Sequence, residues 1–132
     1  MGSKNKGTRA ERELFHMLWN NGWATLRSAG SGSTPKPSPD LIASNNERIL
    51  AIECKSIKGN SKYFDRKEIS ELIEFSKLFG AEPWLAVRFD NNGWFFIIPE
   101  DLKVTKSGNM SISLEKAMKN GLKFDDVISS NK

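Results

Sequence analysis

Residues 39–56, PDLIASNNERILAIECKS, hold two short apolar runs on either side of Asn45-Asn46. Leu41-Ile42-Ala43 and Ile49-Leu50-Ala51-Ile52 read as two strands joined by a turn, a β-hairpin. Strand side chains alternate between faces, so Ile49, Ala51, Glu53 and Lys55 share one side, and Leu50, Ile52, Cys54 and Ser56 the other. The hairpin therefore gathers charges at one end, with Asp40 opening the first strand and Glu53 and Lys55 closing the second. If Ser44 pairs with Glu47 across the Asn-Asn turn, Asp40 faces Ala51 and Glu53 lies on the diagonal. If Ser44 pairs with Ile49, Asp40 faces Glu53 directly. Both registers put the two carboxylates on one face. A three-residue loop would send Asp40 to the other side.

Two carboxylates this close repel unless a proton or a cation lies between them. The chain has one cysteine and one histidine, which excludes an internal disulfide and the usual zinc site. A hard divalent cation is what such acids suit. Mg2+ takes one or two carboxylates, keeps several waters and completes its shell with phosphate oxygens. The backbone carbonyl of Cys54 is a further candidate ligand, and the thiol on the opposite face reads as a small core residue. Lys55 beside such a centre supplies a positive charge for a transition state at phosphorus. The plain alternative is an ion pair of Lys55 with Asp40 or Glu53.

Elsewhere the pattern alternates helix and strand. TRAERELFHMLWNNG starts with Thr8 as an expected N-cap and Glu11 as its capping-box partner, and ends at Gly22. Leu14, Phe15, Leu18 and Trp19 form its apolar stripe. Glu11 extends that stripe, so it is either the cap or a third acid aimed at the pair. A strand over 23–28 and a loop over 29–39 precede the hairpin, and residues 57–65 read as a polar connection. A helix over 65–80 has Ile69, Leu72, Ile73, Phe75 and Leu78-Phe79 along it. Strands over 82–89 and 94–99 flank the turn at 90–93, and a short helix over 113–121 has Ser113 as N-cap. The fold class expected is α/β, a central mixed sheet of about five strands flanked by helices, in one domain over 1–132. The helix at 65–80 is long enough to be a crossover between parallel strands. Residues 1–7 are expected to be a mobile arm, and about 123–132 a frayed tail.

Twenty Lys and Arg against sixteen Asp and Glu give a formal charge of +4. The bases cluster on both sides of the acids, at Lys4, Lys6, Arg9, Arg12, Arg27 and Lys36 and again at Lys58, Lys62, Arg66 and Lys67. Basic surface around an acidic centre suits a polyanion held while a cation acts on it. Lys6, Arg12, Arg27, Lys58 and Lys62 are the candidate phosphate contacts, with Ser31 of the 29–39 loop beside them. No run approaches the roughly 20 apolar residues of a membrane span, and no signal peptide is visible. The expectation is a cytoplasmic, DNA-associated protein, with no membrane and no small-molecule cofactor.

AERELF, LRSAGS, PDLIA and LAIECKS, followed by LIEFSKLFGAEPWLAVRF, resemble in this order the archaeal Holliday junction resolvases. Their Asp…Glu-x-Lys core is shared by the restriction-endonuclease-like nucleases. The resemblance runs from about Lys6 to the strand at 94–98. It implies a dimeric endodeoxyribonuclease, dependent on Mg2+ with Mn2+ able to substitute, that nicks two strands of four-way junction DNA. By it Glu11, Asp40, Glu53 and Lys55 are the catalytic set, the three acids hold the metal, and Arg12, Arg27 and Ser31 hold DNA. Before Asp40 this chain has a longer loop than some members, with three prolines. Surface aromatics of WFFIIP or of the 65–80 helix are the candidate dimer contacts. Two rival readings keep part of this picture: a metal-dependent nuclease of linear or damaged duplex, and a DNA-binding module whose acids only pair with lysines.

Overall fold

A computed structural model describes residues 2–28 and 36–129, with side chains from Thr8 onward. Eight strands and four helices follow one another as α1 (Gly2–Asn20), β1 (Ala24–Arg27), β2 (Leu41–Ser44), β3 (Ile49–Ile57), β4 (Ser61–Phe64), α2 (Arg66–Phe79), β5 (Glu82–Phe89), β6 (Gly93–Ile97), β7 (Lys103–Val104), β8 (Met110–Ser113), α3 (Leu114–Asn120) and α4 (Phe124–Ser129). Five strands form the main sheet in the order β1-β2-β3-β5-β6. β3 and β5 run parallel and the other neighbours antiparallel, so the sheet is mixed as expected. The parallel step follows from α2, which returns the chain to the same edge of the sheet.

The two faces of β3 enter different cores. Leu50, Ile52 and Cys54 pack with Ala10, Leu14 and Leu18 of α1, joined by Trp84 and Phe96. Ala51 and Ile57 pack with Ile69 and Leu72 of α2, joined by Leu85, Val87 and Phe95. The alternation read from the sequence thus divides the sheet between two helices.

Four expectations are corrected. α1 begins at Gly2, so Thr8 lies inside the helix and is not its N-cap. No proline interrupts residues 2–7, and a helix nucleated by its packed face can propagate through them. The connection over 57–65 contains β4, which pairs with β8, and β8 with β7, in a second small sheet. Its inward residues Phe64 and Ile112 join the α2-side core. The segment expected to fray forms α4, with Val127 buried. Arg48 holds that helix by donating to the Val127 carbonyl at 2.7 Å and to both Glu82 carboxylate oxygens at 2.8 Å. Its guanidinium also lies 5.5 Å over the Trp23 ring. The Glu82 hydrogen bond raises the Arg48 pKa further, against a smaller opposing effect of burial. Finally, residues 2–7 of the arm expected to be mobile belong to α1. On α2, Ile69, Leu72 and Ser76 are inside, while Ile73, Leu78 and Phe79 face out.

The other caps agree with the sequence. Asp65 accepts from Lys67 N–H at the start of α2, and Gly80 takes a left-handed φ of 80° at its end. Ser113 caps α3 by accepting from Lys116 N–H at 3.0 Å.

Candidate active site

The hairpin turn decides the register. Asn45 Oδ1 accepts from the N–H groups of Glu47 and Arg48, at 2.9 and 2.7 Å, and Asn46 adopts a φ of 83°. Four residues are thereby held in the loop, and Ser44 pairs with Ile49. Leu41 then faces Ile52, so the next position outward sets Asp40 opposite Glu53. The direct of the two registers is the one adopted.

Asp40 is fixed twice. Its carbonyl accepts from Ser28 N–H at 3.0 Å, tying it to the end of β1, and its Oδ2 accepts from Cys54 N–H at 2.9 Å. The Cys54 thiol is buried on the α1 side, and burial raises its pKa, so it is inert core. The preceding Pro39 is also buried.

Burial dominates the electrostatics of the acid pair. It pushes the Asp40 pKa up to about 6, with a further rise from the charge of Glu11, while the Cys54 N–H pulls the other way. It pushes Glu53 up to about 8, helped by the negative charges of Asp40 and Glu68 and by a hydrogen bond with Glu68. The Asp40 charge raises Glu53 because two anions in one dry site repel.

Glu68 was not foreseen. It lies in the first turn of α2, and its Oε2 accepts from Lys55 Nζ at 2.6 Å. The predicted alternative of a Lys55 pair with Asp40 or Glu53 gives way to this one. Burial alone would lower the Lys55 pKa. The hydrogen bond and charge of Glu68, with Glu53 and Asp40 behind it, more than offset that, so the ammonium is favoured. The sequence carried a signal: Glu68 stands beside Ile69 and four residues before Leu72, on the edge of the apolar stripe, as Glu11 does in α1.

Glu11 stands at the rim of the site. Its Oε1 is 3.2 Å from Arg27 Nη2, an ion pair bridging α1 and β1, and its charge reaches Asp40. Its capping role is excluded by the position of the helix start. Arg12 is exposed and, with Arg9, His16, Ser56 and Arg88, lines a cavity of about 470 Å3 next to the residues that follow Lys55 on β3. Arg88 is held there by Glu13 at 2.8 Å. Lys58 and Lys62 are exposed, in the turn after β3 and on β4. Lys6 lies on the backbone of α1 with its side chain outside the described residues, and Ser31 falls outside them altogether.

The donor set suits a hard divalent cation. Among the described residues no three His, Cys, Asp or Glu side chains converge as a ready-made cage. Two facing carboxylates whose ionisation is opposed by burial are what a site for a hard divalent cation offers. A pH signature follows. Both folded pKa values lie above the unfolded values near about 4, so the folded chain holds more protons than the unfolded chain between them. The stability this confers is complete below about pH 4 and is lost as pH rises through about 6 and about 8. With a chelator present, the melting temperature should fall from pH 5 to pH 9 more steeply than that of Glu53→Gln. Mg2+ should restore more of it at pH 9 than at pH 5. Parallel curves for the two proteins would refute this.

Known proteins resemble this chain over most of its length. The family model described as archaeal Holliday junction resolvase (Hjc) matches residues 2–132. The chain is 41% identical over 103 residues to the crossover junction endodeoxyribonuclease Hjc of Archaeoglobus fulgidus, covering 78% of this chain and 76% of that protein. It is 36% identical over 137 residues to the protein of the same name from Methanocaldococcus jannaschii, covering 93% and 96%. The solved structure of Archaeoglobus fulgidus Hjc, a Holliday junction resolvase, superposes with a TM-score of 0.85 at 36% identity, over 92% of this chain and 98% of that one. No helix among the described residues is long and apolar enough to cross a membrane.

Proposed function

Because this chain belongs to the archaeal Holliday junction resolvase family, we propose that it is an endodeoxyribonuclease that resolves four-way DNA junctions by paired, Mg2+-dependent phosphodiester hydrolysis. The observation that carries the reading is the register of β2 on β3, which sets Asp40 against Glu53 with Lys55 two residues on. In this reading one nuclease domain spans 1–132 and acts on DNA in the cytoplasm.

Asp40, Glu53 and the Cys54 carbonyl would hold Mg2+, or Mn2+ in its place, with Glu11 as the outer acid. The bound cation supplies Lewis-acid charge and an acidified water. The chain's own residues do the rest. Lys55 presents an ammonium where negative charge grows on the phosphate oxygens. Arg27, steadied by Glu11, and Arg12, Lys6, Lys58 and Lys62 neutralise flanking phosphates, with Ser31 adding a hydroxyl.

Symmetric cutting of two strands needs two sites related by a two-fold axis, hence a homodimer. Of the two candidate surfaces, β6 is consumed by the core: Trp94, Phe95, Phe96 and Ile97 are all buried. α2 remains, with Leu78 82% exposed, Phe79 51% exposed and Phe75 stacked on Phe79 at 5.1 Å.

The test is incubation with a four-way junction and with a linear duplex of the same sequence, with Mg2+ and with a chelator. Symmetric nicks confined to the junction and dependent on Mg2+ are expected. Equal cutting of the duplex would favour a general nuclease, and tight binding without cutting a DNA-binding module.

A further inference from the structure

Glutamate at the third position of a helix is ordinarily the reciprocal half of a capping box. Glu68 holds that position in α2, after the Asp65 cap, yet its Oε2 meets Lys55 Nζ at 2.6 Å. Its charge also reaches Glu53. The same side chain therefore holds one of the two charged residues that β3 sends to the α2 side of the sheet and acts on the other through its charge. Lysine has four rotatable bonds and a compact charge that reaches many positions at similar energy. A strand alone fixes the direction in which Lys55 leaves the backbone and leaves its ammonium free to swing.

We infer that Glu68 is a positioning residue for hydrolysis, clamping the Lys55 ammonium against the Asp40–Glu53 pair. The inference rests on the resolvase reading and adds to it a fourth acid that acts through Lys55. α2 is suited to the task. Ile69 and Leu72 anchor its first turns in the core beneath β3, so the carboxylate is presented from a fixed frame. Lys55 and Glu68 side chains are each 27% exposed, which leaves an approaching phosphate access to the ammonium. A salt bridge this open adds little stability, which argues for a role in placement.

The experiment combines kinetics with a chemical probe. Glu68→Ala is expected to lower single-turnover junction cleavage by about 10- to 100-fold, as loss of a supporting shell does, with junction affinity unchanged. Glu68→Gln keeps an acceptor for the ammonium and should lose less. In a double-mutant cycle, Lys55→Ala with Glu68→Ala should be no slower than Lys55→Ala alone, because the clamp has nothing left to hold. In the metal-free protein, the Lys55 amine should react with acetic anhydride roughly two- to fivefold faster in Glu68→Gln than in wild type. The reactivity is read by mass spectrometry relative to Lys58. Additive losses in the cycle, or unchanged Lys55 reactivity, would overturn the inference. Wild-type protein inert on junctions would instead sink the resolvase reading, and the labelling comparison would still judge the clamp.

Discussion

Asp40→Asn is expected to reduce junction cleavage by about a thousandfold or more while binding of the junction survives. The loss follows from removing one of two facing carboxylates, and with it several kcal/mol of transition-state charge stabilisation. The fold should tolerate the change. An Asn carbonyl oxygen can accept from Cys54 N–H as Asp40 Oδ2 does at 2.9 Å, and the pair no longer contains two anions in a buried site. The melting temperature of the metal-free variant above pH 8 should match or exceed that of the wild type. Binding should hold or tighten, because a negative charge has been taken away from a surface that receives phosphates. Gel-shift titration in the presence of a chelator and cleavage in Mg2+ measure the two effects separately. If binding disappears together with cleavage, Asp40 is a structural residue and the metal centre is misassigned.

The double substitution Leu78→Arg with Phe79→Arg is expected to give a folded monomer that no longer makes paired cuts. Both side chains point away from the core of their own chain, at 82% and 51% exposed, so the isolated fold loses little. At the centre of a two-fold contact each arginine would be buried without a partner and would face its symmetry mate. A single uncompensated buried charge costs about 3–5 kcal/mol, a hundredfold or more in dimer affinity. Analytical ultracentrifugation should show half the wild-type mass. Nicked circular intermediates from a plasmid-borne cruciform should accumulate in place of linear product. A variant that remains dimeric would remove α2 from the interface, and a monomer that still linearises the plasmid would remove the need for a dimer.

The acid pair was more legible in the chain than the smaller elements around it. Period-two alternation set Glu53 and Lys55 on one face, and of the three loops weighed for the Asn-Asn turn two kept Asp40 with them while the three-residue loop did not. The turn chosen depends on the Asn45 side chain bonding two backbone groups at once, a local contact that strand alternation does not encode. Glu68 escaped because its partner is 13 residues away on another element. A first-turn glutamate already has a sufficient local reason to be there, the helix dipole. Thr8 was misread as a cap for the same kind of reason: Thr8 and Glu11 spell a capping box, and the helix ran past them. β4, β7 and β8 were missed because short, mostly polar strands have little hydrophobic rhythm, and the inward residues of β4 and β8, Phe64 and Ile112, lie far apart in sequence. On α2 apolar residues occupy more of the circumference than one sheet can cover, and only the packing showed which were left outside.

Cys54 turns its thiol to one side of the sheet and its amide proton to Asp40, and it is the single cysteine of the chain. Protein grown with 15N-cysteine would therefore display one backbone resonance, reporting from the carboxylate proposed to hold the cation. Titrating pH, Mg2+ or a junction oligonucleotide would move that one peak, with no assignment needed and no residue altered.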